Sequence, residues 1–91
     1  MLENKVEDRL VLRVEAAGGL CLKLKLCSAV GWPDRTILLP GGRIAFAELK
    51  RPVGGRRGPL QGWWRATLQR LGFRCEFLKT FQEVEDFLCS L

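Results

Sequence analysis

The sequence predicts a single α/β domain, residues 1–91, with the element order α-β-β-β-α-β-α. Two segments alternate apolar and polar residues as strands do, and two more flank a Gly-Gly turn. Three further segments carry the start or stop signals of helices. Ninety-one residues, 47% of them hydrophobic, suit one folded domain. A domain of this size buries only roughly 60% of its unfolded surface, so its core is thin.

The first helix is predicted over residues 3–17, before the stop signal Gly18-Gly19. A turn of about 100° per residue gathers five apolar side chains into one stripe. They are Val6, Leu10, Val11, Val14 and Ala17. Glu3 and Glu7 fall inside the same stripe, where a carboxylate is costly unless it is paired, hydrogen-bonded or metal-bound. Glu7 is the deeper of the two, whereas Glu3 could reach water at the frayed helix end.

Three strands are predicted after this helix. "LCLKLKLC", residues 20–27, alternates strictly, with its leucines on one face. "DRTILLP" and "RIAFAELK", residues 34–40 and 43–50, flank Gly41-Gly42 and predict a hairpin. "RPVGGRRGP", residues 51–59, is rich in glycine and proline and is predicted to be a loop.

The C-terminal part of the chain predicts a helix, a strand and a last helix. A proline suits the first turn of a helix over about residues 60–71, and Gly72 ends it. "FRCEFL", residues 73–78, alternates as a fourth strand. Thr80 and, three residues later, Glu83 form a capping box for the final helix.

The hairpin connection decides which acidic residues meet. A three-residue connection over residues 40–42, with a glycine at positive φ, pairs Leu39 with Arg43. The same register sets Asp34 opposite Glu48. A two-residue loop would instead put these two carboxylates on opposite faces of the sheet. We therefore predict the three-residue connection.

Composition argues against several classes of protein. The four cysteines form no C-x-x-C pair and histidine is absent, so structural zinc is not expected. The N-terminus has no charged-then-apolar leader, and no apolar run approaches about 18 residues. We expect a protein with reduced thiols that is neither secreted nor membrane-bound. Its expected location is the cytoplasm of a bacterium or of a phage-infected host cell.

The net charge of +5 is unevenly distributed along the chain. From Arg51 to Arg74 there are six arginines and no acid, whereas residues 75–91 carry one lysine and four acids. A basic surface attracts polyanions through salt-dependent phosphate contacts. An ordinary solvated surface explains the same composition equally well.

Acidic side chains meet a lysine at the end of the predicted hairpin. Glu48 and Lys50 have the same parity in the third strand, and Asp34 brings a second carboxylate to the same sheet end. Neighbouring carboxylates repel, and a hard divalent cation such as Mg²⁺ removes that penalty. A bound cation can activate water and stabilise charge on a phosphate. The competing interpretation is a surface salt bridge between Glu48 and Lys50, worth at most about 1 kcal/mol.

These features resemble the VRR-NUC domain, the virus-type replication-repair nuclease. The resemblance is carried, in order, by a helical glutamate, Gly18-Gly19, Lys23, "GWPDR", "AELKRP" and the glutamine of "PLQ". That family belongs to the PD-(D/E)xK superfamily. The resemblance covers nearly the whole chain and implies a restriction-endonuclease-like αβββαβ core, similar to Holliday-junction resolvases. The last predicted helix is then an addition to that core.

The resemblance also implies roles for residues at the end of the hairpin. Asp34 and Glu48 would ligate Mg²⁺ or Mn²⁺. The backbone carbonyl of Leu49 would be a further ligand, and Lys50 would position the attacking water.

The helices are expected to contribute to the same site. By the resemblance, Glu7 would complete the site directly or through water, with Glu3 as the alternative. Gln61 would orient the site from the second helix. Arg35, next to Asp34, is expected to pair with a neighbouring acid.

Basic residues around the site are candidate phosphate contacts. These candidates are Lys23, Arg51, Arg56, Arg57 and Arg65. The sequence contains no recognition-helix or zinc-finger pattern, so recognition by backbone shape is expected.

We therefore expect a metal-dependent DNA endonuclease that hydrolyses phosphodiester bonds and selects branched DNA such as four-way junctions. A homodimer is expected for two reasons. A second copy would cover exposed surface of a domain with a thin core. A four-way junction also needs two paired cuts, which one active site cannot make together. One alternative is a non-catalytic nucleic-acid-binding module, which would lack a catalytic residue. Another is a monomeric flap-type nuclease.

Overall fold

The structure, a computed structural model, describes residues 5–50 and 59–91. Its helices are α1 (Lys5–Ala16), α2 (Pro59–Arg70) and α3 (Phe81–Cys89), and its strands are β1 (Leu20–Leu22), β2 (Arg35–Leu39), β3 (Arg43–Leu49) and β4 (Arg74–Leu78). The predicted α/β class, element order and C-terminal helix are confirmed. Of the loop predicted at residues 51–59, all but Pro59 lies outside the described residues. In these two ranges the longest helices have 12 residues, and none has the length and apolar character needed to span a bilayer.

The four strands form one mixed sheet in the order β1-β2-β3-β4. β1 and β3 both pair antiparallel with β2, whereas β3 and β4 are parallel. A parallel pair needs a crossover, which α2 provides between β3 and β4. The start of β2 and the C-terminal ends of β3 and β4 therefore lie at the same end of the sheet.

The β2–β3 connection has the predicted length. Leu39 pairs with Arg43, and the same register places Asp34 opposite Glu48. The two glycines of the turn have φ values of 84° and 74°, which residues with a Cβ rarely adopt. The three-residue connection is confirmed.

The first strand is shorter than predicted. Alternation over residues 20–27 predicts a strand throughout, but β1 ends at Leu22. Leu22 pairs with Thr36, only one residue from the start of β2. The chain just before β2 contains Pro33, which has no N–H to donate to a neighbouring strand. Without a partner the predicted strand stops, and its remaining leucines are exposed.

The sheet separates two apolar clusters. Alternate residues of β3 enter them, with Ala45, Ala47 and Leu49 in the larger cluster and Phe46 in the smaller. Buried residues of α1 and α3 complete the larger cluster, and buried Leu68 of α2 belongs to the smaller one. The α1 and α3 side of β3 is therefore chemically distinct from the α2 side.

The helices lie where the sequence predicts them, and residues 3 and 4 of the predicted first helix are outside the described residues. Val6, Leu10 and Val14 are buried and Val11 is half-buried, whereas Ala17 is exposed because α1 ends one residue earlier. At the other end of the chain, the predicted capping box of α3 is present. The apolar stripe is thus confirmed for the residues inside α1.

Leu10→Ala is expected to lower the free energy of unfolding by about 2–5 kcal/mol, because removing a buried leucine leaves a cavity. Leu10 is 0% exposed, whereas Leu12 of the same helix is 65% exposed. Leu12→Ala is therefore the matched control, with an expected change below about 0.5 kcal/mol. Urea unfolding followed by circular dichroism measures both variants. Equal losses would contradict the packing of α1 on the sheet.

Candidate active site

Asp34 and Glu48 meet where β2 begins and β3 ends. The backbone N–H of Leu49 donates to Asp34 Oδ2 at 2.9 Å, which holds this carboxylate against β3. The carboxyl groups of Asp34 and Glu48 also share a hydrogen bond. Glu48 is only 3% exposed, so water screens the pair weakly.

Burial is the main cause that raises the pKa of Glu48 to about 9. The hydrogen bond to Asp34 and the negative charge of Asp34 act in the same direction, while the Lys50 ammonium opposes them. Glu48 therefore keeps its proton near neutral pH when no cation is bound. A divalent cation bound between the two carboxyl groups would replace this proton.

Lys50 joins this pair to the second helix. The residue is 7% exposed, and its backbone N–H donates to the carbonyl oxygen of Leu78 at 2.8 Å. Its Nζ donates to Gln61 Oε1 of α2 at 2.5 Å and lies 5.5 Å from the centre of the Phe77 ring. The structure thus brings Lys50 and Gln61 into contact, and it fixes the ammonium close to Glu48.

Glu7 lies on the side of the sheet that α1 covers. Its Oε2 accepts a hydrogen bond from Arg35 Nε at 2.7 Å, and the two side chains are 17% and 18% exposed. Arg35 also donates to the carbonyl oxygen of Cys21 at 3.1 Å. The ion pair gives Glu7 the partner that a carboxylate in an apolar stripe needs, and Arg35 pairs with an acid as expected.

The predicted participation of Glu7 in the site remains a prediction. Within residues 5–50 and 59–91, no three side chains of Asp, Glu, His or Cys form a group that could hold a metal ion. Asp34 and Glu48 are brought together, but Glu7 does not join them as a third ligand. Glu3 lies outside the described residues.

The candidate phosphate contacts occupy different surroundings. Lys23 lines an open groove of about 320 Å³ that extends to Asp34. Arg65 instead donates to Glu76 Oε1 at 3.0 Å, and its guanidinium lies 5.2 Å from the centre of the Phe77 ring. Three further candidates lie outside the described residues: Arg51, Arg56 and Arg57. Lys23 thus lies in a groove shared with a candidate ligand.

Two aromatic residues near the site were not predicted as part of it. Phe77 pairs with Glu48 in the β3–β4 register and contacts Lys50 through its ring. Trp64 of α2 donates its Nε1 proton to the carbonyl oxygen of Val30 at 2.8 Å. The alternation of "FRCEFL" could have assigned Phe77 to a face, but only the parallel register shows which residue it meets.

The fold and the sheet end define a class of protein. The αβββαβ order, with Asp34 and Glu48-x-Lys50 at one end of the sheet, is the arrangement expected of PD-(D/E)xK nucleases. A solved structure described as a VRR_NUC domain matches with a TM-score of 0.85 and 29% identity, over 94% of this chain and 92% of that chain. This match confirms the predicted fold.

Sequence similarity leads to the same family. No protein-family model matches the chain. A protein of Acyrthosiphon pisum secondary endosymbiont phage 1, named "Putative nuclease p44", is 39% identical over 70 residues, which are 77% of this chain and 74% of that protein. The chain belongs to the VRR-NUC family of nucleases.

The stability of the metal-free protein is expected to fall as the pH rises from about 4.5 to about 9. The pKa of Glu48 is raised from 4.5 to about 9, so across this range the folded protein keeps a proton that the unfolded chain has released. Glu48→Gln should remove this part of the pH dependence. Urea unfolding in EDTA over the same range measures both proteins. If stability changed equally with pH in both proteins, the raised pKa of Glu48 would be contradicted.

Proposed function

We propose that this protein is a Mg²⁺- or Mn²⁺-dependent endonuclease that hydrolyses phosphodiester bonds in DNA and prefers branched DNA such as four-way junctions. The observation that carries the proposal is the pairing of half-buried Asp34 with buried Glu48, next to Lys50, whose ammonium is held by Gln61. Membership of the VRR-NUC family supports the same chemistry.

The oxygen donors of this sheet end fit a hard divalent cation. Asp34 and Glu48 would supply carboxylate oxygens, and Leu49 would supply its carbonyl oxygen. The N–H of Leu49 faces Asp34, and in a regular strand the carbonyl of the same residue points to the same neighbour. An all-oxygen site of this kind suits Mg²⁺ or Mn²⁺. When bound, the cation would lower the pKa of a water and offset charge at the phosphate.

Lys50 and Gln61 would position the reactants. A lysine ammonium has three N–H donors and no acceptor, so Lys50 can orient a water or a phosphate oxygen but cannot take a proton while charged. Gln61 holds Nζ in place through the 2.5 Å hydrogen bond. The water oxygen would form a bond to phosphorus and release its proton to solvent, while the bond from phosphorus to the leaving oxygen breaks. Glu7 is the proposed helical acid and would act through water, since its carboxylate is paired with Arg35.

DNA would be held through its phosphates. Lys23 is proposed to contact the backbone next to the scissile phosphate, because its groove extends to Asp34. The arginines proposed as further contacts are Arg51, Arg56, Arg57 and Arg65. Arg65 would have to share its guanidinium with Glu76. Contacts of this type fix the position of DNA without reading its sequence, which suits selection of a branched shape.

We also propose that the protein acts as a homodimer. Several large apolar side chains are at least 47% exposed on the described surface. They are Leu12, Leu20, Val30, Leu60, Trp63 and Leu71. A second copy would cover part of this apolar surface. A four-way junction has approximate two-fold symmetry, so two active sites would allow paired cuts.

Cleavage of labelled four-way, flap and linear duplex DNA with Mg²⁺ or Mn²⁺ is expected, fastest on the junction. Asp34→Ala, Glu48→Ala and Lys50→Ala should each reduce cleavage by at least about 10²-fold, because each removes a group that stabilises or positions the transition state. Lys5→Ala changes an exposed lysine of α1 and is the matched control. Anisotropy in EDTA should show that all variants still bind DNA. Full cleavage by any of the three site variants would contradict the site, and binding without cleavage by the wild type would indicate a non-catalytic module.

Sedimentation at micromolar concentration is expected to give about twice the chain mass of 10.3 kDa. On a four-way junction the protein should then make paired incisions. A mass near 10.3 kDa together with nicking but no paired incision would overturn the dimer. That combination would favour a monomeric flap-type nuclease.

A further inference from the structure

We infer that the contact between the first turns of α2 and the segment over residues 30–33 is a positioning device for the active site. Gly31 and Trp64 are its positioning residues. They act through Gln61, which holds Lys50, and through Asp34, which follows the segment directly. The inference rests on the proposed function, because it assigns the contact a role in the same reaction.

Trp64 fastens α2 to this segment. Its Nε1 proton is donated to the carbonyl oxygen of Val30 at 2.8 Å. The Trp64 ring also packs edge-on against Trp32, with 5.1 Å between ring centroids. Trp32 in turn packs against Phe46 of β3, with 5.3 Å between centroids. The segment is therefore held between α2 and the sheet.

Gly31 allows the helix and the segment to approach closely. A Cβ atom at this position would lie 2.6 Å from Leu60 Cβ and 3.1 Å from the Leu60 carbonyl carbon. Both atoms belong to, or are rigidly attached to, the helix backbone, so a rotamer change of Leu60 cannot relieve the overlap. Any side chain at this position must push the first turn of α2 away.

Each of the two elements in this contact carries a residue of the candidate active site. On α2, Gln61 lies between the contacting residues Leu60 and Trp64, and its Oε1 accepts the Lys50 hydrogen bond. On the segment, Asp34 follows three residues after Gly31 and accepts the hydrogen bond of the Leu49 N–H. Gln61 and Asp34 therefore lie on the two sides of one contact. The distance between α2 and the segment over residues 30–33 sets the position of the Lys50 ammonium relative to the carboxylate pair.

The C-terminal half of α2 is held separately. Gln69 donates to the carbonyl oxygen of Cys75 at 2.9 Å, and Arg65 pairs with Glu76. These contacts attach the helix to β4. Loosening the first turns should therefore shift Gln61 while the helix stays docked, which makes a change in catalysis separable from a loss of folding.

Trp64→Phe tests the device with little disturbance, since it keeps an aromatic ring and removes the N–H donor. We expect kcat to fall by about 10-fold to 100-fold with KM changed less than about 2-fold, because the positioning of a reacting group is lost and DNA contacts are not. On a Gln61→Ala background, Trp64→Phe should cause no further loss. This double-mutant cycle shows whether Trp64 acts through Gln61.

Gly31→Ala is the second variant, and Gly72→Ala is its matched control. Both glycines have positive φ, 87° and 96°, so both substitutions strain the backbone. A Cβ at Gly72 would meet no atom within 4 Å, whereas a Cβ at Gly31 would meet Leu60. At similar melting temperatures, Gly31→Ala should lose at least about 10-fold more kcat than Gly72→Ala.

Labelling of Lys50 gives a readout that does not need cleavage. Reductive methylation followed by peptide mass spectrometry should modify Lys50 faster in Trp64→Phe and Gly31→Ala than in the wild type, because Lys50 is buried and held by Gln61. Unchanged labelling with full activity would overturn the inference, as would losses that add in the double-mutant cycle. A wild type that cleaves no DNA would sink the proposed function instead, and the labelling would still test the contact.

Discussion

The pairing of Leu39 with Arg43 at the hairpin turn governs which side chains meet at the far end of β2 and β3. Strand side chains alternate between faces, so a slip of one residue would reverse the face of every β2 residue relative to β3. The Asp34 side chain would then lie on the opposite face of the sheet from Glu48, and Glu48 would have no second carboxylate beside it. Two glycines at positive φ close the turn at the required length. The carboxylate pair at one end of the hairpin thus depends on backbone conformation at the other.

Among the described residues, the buried charged side chains lie at the same sheet end. Glu48 and Lys50 are 3% and 7% exposed, and buried charges lower stability unless their partners are well placed. Asp34 is hydrogen-bonded to Glu48, and Gln61 accepts a hydrogen bond from Lys50. Apolar residues at both positions would enlarge a core that is thin for its size. Packing alone does not explain two buried titratable residues at the C-terminal end of β3 and just after it, whereas the proposed chemistry does.

Local signals were sufficient for most of the fold and for part of the site. Helix caps and alternation depend on neighbouring residues, which is why α3 with its capping box and the β2–β3 hairpin could be predicted. The length of β1 depends on how far β2 extends beside it, and β2 begins only at Arg35, two residues after Pro33. The motif identified Asp34, Glu48, Lys50 and Gln61, which the structure brings together. It could not identify Phe77, whose contact with Lys50 follows from the parallel register of β4.

The roles proposed for Glu7 and Gln61 require a site at the end of the sheet and not on one of its faces. Arg35 is the first residue of β2 and follows Asp34, so the ion pair lies at the same end as the carboxylates but on the α1 side. Gln61 approaches from the α2 side. A paired sheet would keep these two helices apart, and their side chains can serve one site only beyond the last paired residues, Leu49 and Leu78.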